Sequence, residues 1–217
     1  MARSSTVVRE TKAYHHGDLR QALLDATLKL IQEHGPEGFT LRAAAREAGV
    51  TAGAAYHHFK DKEDLVAGVA EEGFVLFREY LAAAAERAAS SPSERARNVG
   101  VAYVLFATQQ ATRFRVMLGF GLLTRSSHAG AMNEAMHAYQ LVRDALVSGL
   151  TEDSEQPVSH AEVLGWWSVV HGLAFLAIDG YLGKVKNVKR TDQLVREVLD
   201  ALERRPASPK TRSKEPR

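Results

Sequence analysis

The sequence predicts an all-α fold of about nine helices, and three observations carry that prediction. Val, Ile and Thr are not gathered into alternating runs, whereas Ala and Leu dominate. Apolar residues recur at three- and four-residue spacing along most of the chain. Glycine, proline and hydroxyl residues fall where such helices would start and stop. With 217 residues, the chain is long enough for one to two domains.

Each helix has its own signals. Helix one, residues 17–34, repeats Leu19, Leu23, Ala26, Thr27, Leu30 and Ile31 on one stripe and ends at Gly35-Pro36. Helix two, 41–48, is capped by Thr40 and stopped by Gly49. Thr51 caps a short third helix over 52–59. Asp61 opens a long fourth, to about residue 89, with Leu65, Val69, Phe74, Phe77 and Leu81 spaced for burial. Ser91-Pro92-Ser93-Glu94 is a fresh start, with a cap, a proline at the first helical position and an acid facing the first turn. That fifth helix runs to about 110. A short apolar helix over 113–123 follows, then one over 129–150 and a polar loop over 151–158. Ser159 with Glu162 forms a second capping box and opens a strongly apolar helix to residue 181. The last helix spans about 191–205.

Composition excludes several functions. There is no cysteine, so disulfides, thiol catalysis and thiolate metal sites are ruled out. Residues 1–20 lack the apolar core of a secretion signal. The longest strongly apolar stretch, 166–178, is interrupted by Ser168 and His171 and is too short to span a bilayer. A cytoplasmic protein without a membrane partner is expected. Charge is uneven: residues 1–70 are neutral, 71–183 carry a net −4 and 184–217 a net +6. Basic ends of this kind hold a polyanion loosely or are simply solvated. No His-Glu-x-x-His, Walker loop or Gly-x-Gly-x-x-Gly is present, and the adjacent His57 and His58 diverge on a helix. No enzyme, metal site or cofactor is expected.

Residues 41–59 are the informative segment. Two short helices are joined through Gly49, which permits a tight turn, and Val50 can plug the centre between them. Ala44 and Ala45 are small, as a close helix crossing requires. The pattern is that of a helix-turn-helix or of an ordinary helical hairpin. Tyr56, His57, His58, Lys60 and Lys62 follow at once. Hydroxyl, imidazole and ammonium groups all donate to phosphate oxygens, so this cluster favours a nucleic-acid clamp. Phe59 and Leu65 should anchor the corner in the core.

Residues 17–66 closely resemble the DNA-binding domain of the TetR family of bacterial transcriptional regulators. The resemblance rests on the Ala26 helix, Gly38-Phe39-Thr40, Ala44 with Ala45, Gly49-Val50, and the run from Tyr56 through Leu65. Residues 14–20 also resemble the lead-in to helix one in one branch. In the C-terminal part, Trp167, His171 and Gly172 are similar to the Trp-His-Gly pattern of one branch. The resemblance implies a three-helix DNA-binding head on a larger helical regulatory domain, working as a homodimer on double-stranded operator DNA. Its expected division is a basic arm over 1–16, the head over 17–66, a regulatory and dimerisation domain over 67–205 and a disordered basic tail over 206–217.

The same resemblance implies roles. Thr51, Ala52 and Gly53 begin the recognition helix, with Ala55 nearby. Ala52 or Ala55 would meet a thymine methyl and Thr51 would use its hydroxyl. Arg42 would grip guanine or phosphate. Thr40, Tyr56, His57 and Lys62 would hold the backbone, and Arg9 and Lys12 would add an arm. Base-reading groups are scarce, so DNA shape should carry part of the specificity.

A ligand pocket and a dimer surface are implied after residue 70. Phe106, Phe114, Met117, Phe120, Met132, Met136 and Tyr139 either line an apolar cavity or form a plain packed core. Trp167 and His171 are four apart and share a helix face, with His171 bonding an effector or merely satisfying a neighbouring carbonyl. Gly172 sits mid-helix, where a close neighbouring backbone would be a reason to keep it. Arg113 and Arg115 are expected on the solvated surface. Trp166, Val170 and Leu173, with Leu194, Val198 and Leu202 from the last helix, are the expected dimer contacts. The expected effector is small and apolar. A helical interaction scaffold without sequence-specific DNA binding is the competing reading.

Overall fold

The computed structural model describes residues 16–87, 91–119, 129–150, 157–183 and 188–203. Among them are nine α-helices and no strand: α1 (His16–His34), α2 (Leu41–Glu47), α3 (Ala52–Tyr56), α4 (Lys62–Glu86), α5 (Pro92–Gln109), α6 (Ala111–Leu118), α7 (Ala129–Leu150), α8 (His160–Ile178) and α9 (Val188–Glu203). The arm carrying Arg9 and Lys12, the tail over 206–217 and Phe120 lie outside the described residues.

Local chemistry sets the helix starts. Thr40, Thr51, Asp61 and Ser91 each accept a hydrogen bond from the backbone N–H three residues on, which satisfies one orphan donor of the first turn. At α8 both halves of the capping box form, with Glu162 accepting from the Ser159 amide at 2.8 Å. Gly49 closes the α2–α3 turn at φ +73°, a conformation an L side chain resists. The third helix is shorter than the sequence suggests. It stops at Tyr56, and His57 caps its end. Phe59, freed from the helix, turns inward and packs over α4.

Two apolar cores result. The first joins Leu23, Leu24, Phe39, Leu41, Ala44, Ala45 and Phe59 to Leu65 and Val69 of α4, and it also takes in Val116 of α6. The second joins Phe74, Phe77 and Leu81 of α4 to α5 through α9. Helix α4 belongs to both, and α6 contributes Phe114 and Met117 to the second. Arg113 is not on the surface. It is 9% exposed and pairs with Glu72 of α4, leaving its Nε buried without a partner among the described residues. Arg115 pairs with Asp179 at the end of α8.

Helix α8 departs from expectation in its apolar length. Taken from His160 to Ile178, it is long and apolar enough, by length and composition, to cross a membrane. Val163, Val170 and Ala174 are buried on one side. Leu164 and Leu176 are 45% and 43% exposed, and no described residue packs over Gly165 or Gly172.

The head core turns on Phe59. Replacing Phe59 with Ala removes a buried ring and should cost about 3–5 kcal/mol. A denaturant titration should show that loss as a lower midpoint. An unchanged midpoint would mean that Phe59 is not part of the core.

Candidate functional site

The head presents a two-helix face to solvent. Thr40 and Thr51, at the starts of α2 and α3, are exposed, as are Arg42, Gly53, Tyr56 and His57, while Ala52 is half-buried. The two threonine oxygens accept from Ala43 N at 3.1 Å and Ala54 N at 3.2 Å. Each hydroxyl proton thus stays free for donation to a phosphate. Tyr56 is 49% exposed. Lys62 is half-buried at the first turn of α4. Its Nζ lies over the Phe39 ring at 4.8 Å, 3.5 Å from the Glu37 carbonyl oxygen. The lysine is therefore held at the edge of the face.

Ala55 is a correction. It is 0% exposed, sunk between the head helices, so it cannot meet a thymine methyl. A five-residue helix has one inward side, and Ala55 occupies it. Of the other residues expected at base edges, Thr51 and Gly53 are exposed and Ala52 is half-buried.

The second feature is a cavity of about 340 Å³ between α4, α5, α6, α7 and α8. The structure brings Met117, Met136, Tyr139, Trp167 and His171 around it, together with Phe114 and Met132. Phe106 does not join them. Its ring packs instead in the core against Phe77 and Tyr80, with centroids 5.0 and 5.8 Å away. Phe74, Phe77 and Tyr103 also line the cavity. The first two were legible only as buried residues of α4. Tyr103 carried no sequence signal, because its partners lie more than sixty residues away.

Tyr103 organises the polar part of the cavity. Trp167 Nε1 donates to the Tyr103 hydroxyl oxygen at 3.3 Å, and that hydroxyl lies 2.8 Å from His171 Nδ1. An indole nitrogen only donates, so the tyrosine oxygen accepts that bond, and its own proton goes to Nδ1 when the imidazole is the Nε2–H tautomer. Burial pushes the Tyr103 pKa well up, which keeps that proton in place. Burial also lowers the His171 pKa below its ordinary 6.5. Its surroundings are rings: Tyr103, Phe114, Trp167 and Phe175 all lie within 6.3 Å, centroid to centroid.

Of the expected dimer contacts, Val170 is another correction. It is fully buried in its own chain's core and cannot meet a second chain. Trp166 lies across Gly100 of α5 and is half-buried, as are Leu173, Leu194, Val198 and Leu202.

A helix-turn-helix head on a helical body with a cavity is the architecture of a class of DNA-binding regulators. Comparison with known proteins places the chain within that class. Residues 23–69 match the model of bacterial regulatory proteins of the tetR family, and residues 96–202 match the tetracyclin repressor-like C-terminal domain. The chain belongs to the TetR family of bacterial regulatory proteins. It is 31% identical over 118 residues to the transcriptional regulator BetI of Burkholderia thailandensis, covering 54% of this chain and 60% of that protein. The chain thus spans less than two thirds of that curated relative. Among solved structures, a protein of unknown function from Rhodococcus sp. RHA1 is 28% identical, with a TM-score of 0.73 over 88% of this chain and 96% of that one. AibR, solved with isovaleryl coenzyme A and operator DNA, shares the fold at 19% identity, with a TM-score of 0.62 over 85% of this chain and 97% of its own.

The depressed His171 pKa has a measurable consequence. The unfolded chain takes up this proton at higher pH than the folded one, so the stability it confers is complete above about 6.5 and is lost as pH falls through the folded value. Acidification from pH 7.5 to 5.5 should lower the Tm more in the wild type than in His171→Phe. Equal drops would contradict a neutral, buried imidazole.

Proposed function

We propose that the protein is a homodimeric repressor that binds a palindromic operator and is released by a small molecule. The observation that carries this reading is the exposed face of α2 and α3, with Thr40, Arg42, Thr51, Tyr56, His57 and Lys62 mounted on a rigid, well-packed head. Thr51, Ala52 and Gly53 are small enough for the backbone of α3 to approach the base edges of a major groove. Arg42 reaches guanine or phosphate, and the remaining groups hold the backbone. With few side chains to read bases, sequence-dependent DNA shape supplies part of the specificity.

Dimerisation is needed because one short helix covers too few base pairs. The exposed side of α8 supports a homodimer contact there: Leu164, Gly165, Gly172 and Leu176 form an apolar face that no described residue of the same chain covers. Trp166 and Leu173 flank it, and the outer edge of α9 contributes Leu194, Val198 and Leu202. A partner helix lying close against Gly172 accounts for a mid-helix glycine with open space above it.

Ligand response follows from how α6 is placed. Met117 lines the cavity and is packed so tightly on Gly73 of α4 that a Cβ there would fall 2.7 Å from Met117 Cγ. The preceding residue, Val116, lies in the head core. Arg113 and Glu72 join the same two helices. A ligand that moves Met117 thus presses on the helix that carries the head. Ligand and operator then favour different head spacings, and each weakens the other's binding by the same factor. That the family relatives include named repressors, and that AibR was solved with both an effector and operator DNA, agrees with this reading.

Equilibrium binding to duplex DNA from upstream of the protein's own gene, against scrambled duplex at near-physiological salt, tests the proposal. A preference of about a hundredfold or more is expected, a threshold set below the roughly 10³–10⁷ typical of specific readers. Tyr56→Phe combined with Lys62→Ala should weaken binding and reduce the salt slope by roughly one for each phosphate no longer neutralised, with helicity and dimer mass unchanged. Equal, weak binding to every duplex in a genome-wide fragment selection would instead favour the scaffold reading.

A further inference from the structure

The cavity described above has a composition that selects among ligands. Its lining among the described residues contains no Lys, Arg, Asp or Glu. It consists of aromatic rings, methionines and small aliphatic side chains, with Tyr139 and the Tyr103–His171 pair as its polar members. At about 340 Å³ it lies toward the lower end of the roughly 300–1,000 Å³ range of small-molecule sites. In the tautomer in which the Tyr103 hydroxyl donates to His171 Nδ1, Nε2–H is left as a donor. Nε2 has no hydrogen-bond partner among the described residues, and it is not among the side-chain atoms sealed from solvent without one. The cavity thus offers one fixed donor set among rings.

We infer that the cavity takes an uncharged, ring-rich small molecule carrying one carbonyl-type acceptor, an aromatic ketone, lactone or quinone, whose oxygen accepts from His171 Nε2–H. This inference rests on the proposal that the cavity is the effector site. The physical reasons are four. Ring edges and faces of Phe77, Phe114 and Trp167 favour an aromatic skeleton, which they meet in offset or edge-to-face contact. A carboxylate or a phosphate-bearing thioester entering here would lose its hydration with no cation among the described lining residues to meet it. A quaternary ammonium would find ring faces but no counter-charge, and Nε2–H would point its positive end at it. A hydrocarbon of the same shape would leave Nε2–H without an acceptor and bind roughly tenfold more weakly.

Four probes with one naphthalene skeleton test the inference by calorimetric titration of the full chain: 2-acetylnaphthalene, 2-isopropenylnaphthalene, 2-naphthoate and trimethyl(2-naphthyl)ammonium. Isovaleryl coenzyme A is the fifth. The ketone should bind best, about tenfold tighter than the alkene that matches its shape, and neither ion nor the thioester should bind measurably. His171→Phe should abolish the ketone's advantage over the alkene while both still bind. His171→Gln, which keeps an N–H donor, should retain part of it and guards against a variant that merely misfolds. Preferred binding of naphthoate, the ammonium ion or the thioester would overturn the inference while leaving the cavity as an effector site. An unchanged ketone-to-alkene ratio in His171→Phe would do the same. No heat from any of the five probes would overturn both this inference and the effector-site proposal.

Discussion

The structure depends on one helix being shared by two cores. Helix α4 runs unbroken from Lys62 to Glu86, a length of about 37 Å at helical rise. Its first turns bury Leu65, Val66 and Val69 against α1–α3, and its later turns bury Phe74, Phe77 and Leu81 against the body. An uninterrupted helix cannot bend freely between those halves, because each backbone hydrogen bond ties together residues four apart. The head therefore takes its position from the body. Without that coupling a cavity in the body could not affect a surface on the head.

The cavity sits where that constraint can be used. Phe74 and Phe77 of α4 form part of its wall, and Met117 of α6 rests on Gly73 between the two cores. A well-packed region responds to an intruding group by shifting a whole element, since there is no slack to absorb it locally. The Arg113–Glu72 pair braces the same junction. Its burial makes it costly to break, so movement of α6 carries α4 along with it.

Much of the fold was legible because it is local. The caps at Thr40, Thr51, Asp61, Ser91 and Ser159 need only a few neighbouring residues, and each stands where its pattern placed it. What escaped depends on distant partners. Tyr103 gains meaning from His171, sixty-eight positions on, and Arg113 is buried because Glu72 lies forty-one positions back. Phe106 and Tyr103 are three apart on α5, yet only Tyr103 reaches the cavity, because Phe106 is taken up by Phe77 and Tyr80. Ala55 was readable as a member of the recognition helix but not as its buried side. Helix α8 is apolar all round, so periodicity could not choose its inner face, and Val170 was assigned outward when it points inward. The family resemblance supplied the plan of head and body. It could not say which side chain faces which way.

In the proposed dimer the body holds two heads one DNA turn apart. The chain has no cysteine, so Arg46→Cys, on the exposed last turn of α2, offers a single position per subunit for a nitroxide label. Pulsed electron double resonance on the labelled protein bound to its selected duplex reads the distance between the two heads directly. The account predicts one narrow population at about one helical turn, ~34–36 Å. A signal with no intersubunit distance, or a broad distribution that DNA does not narrow, would contradict it.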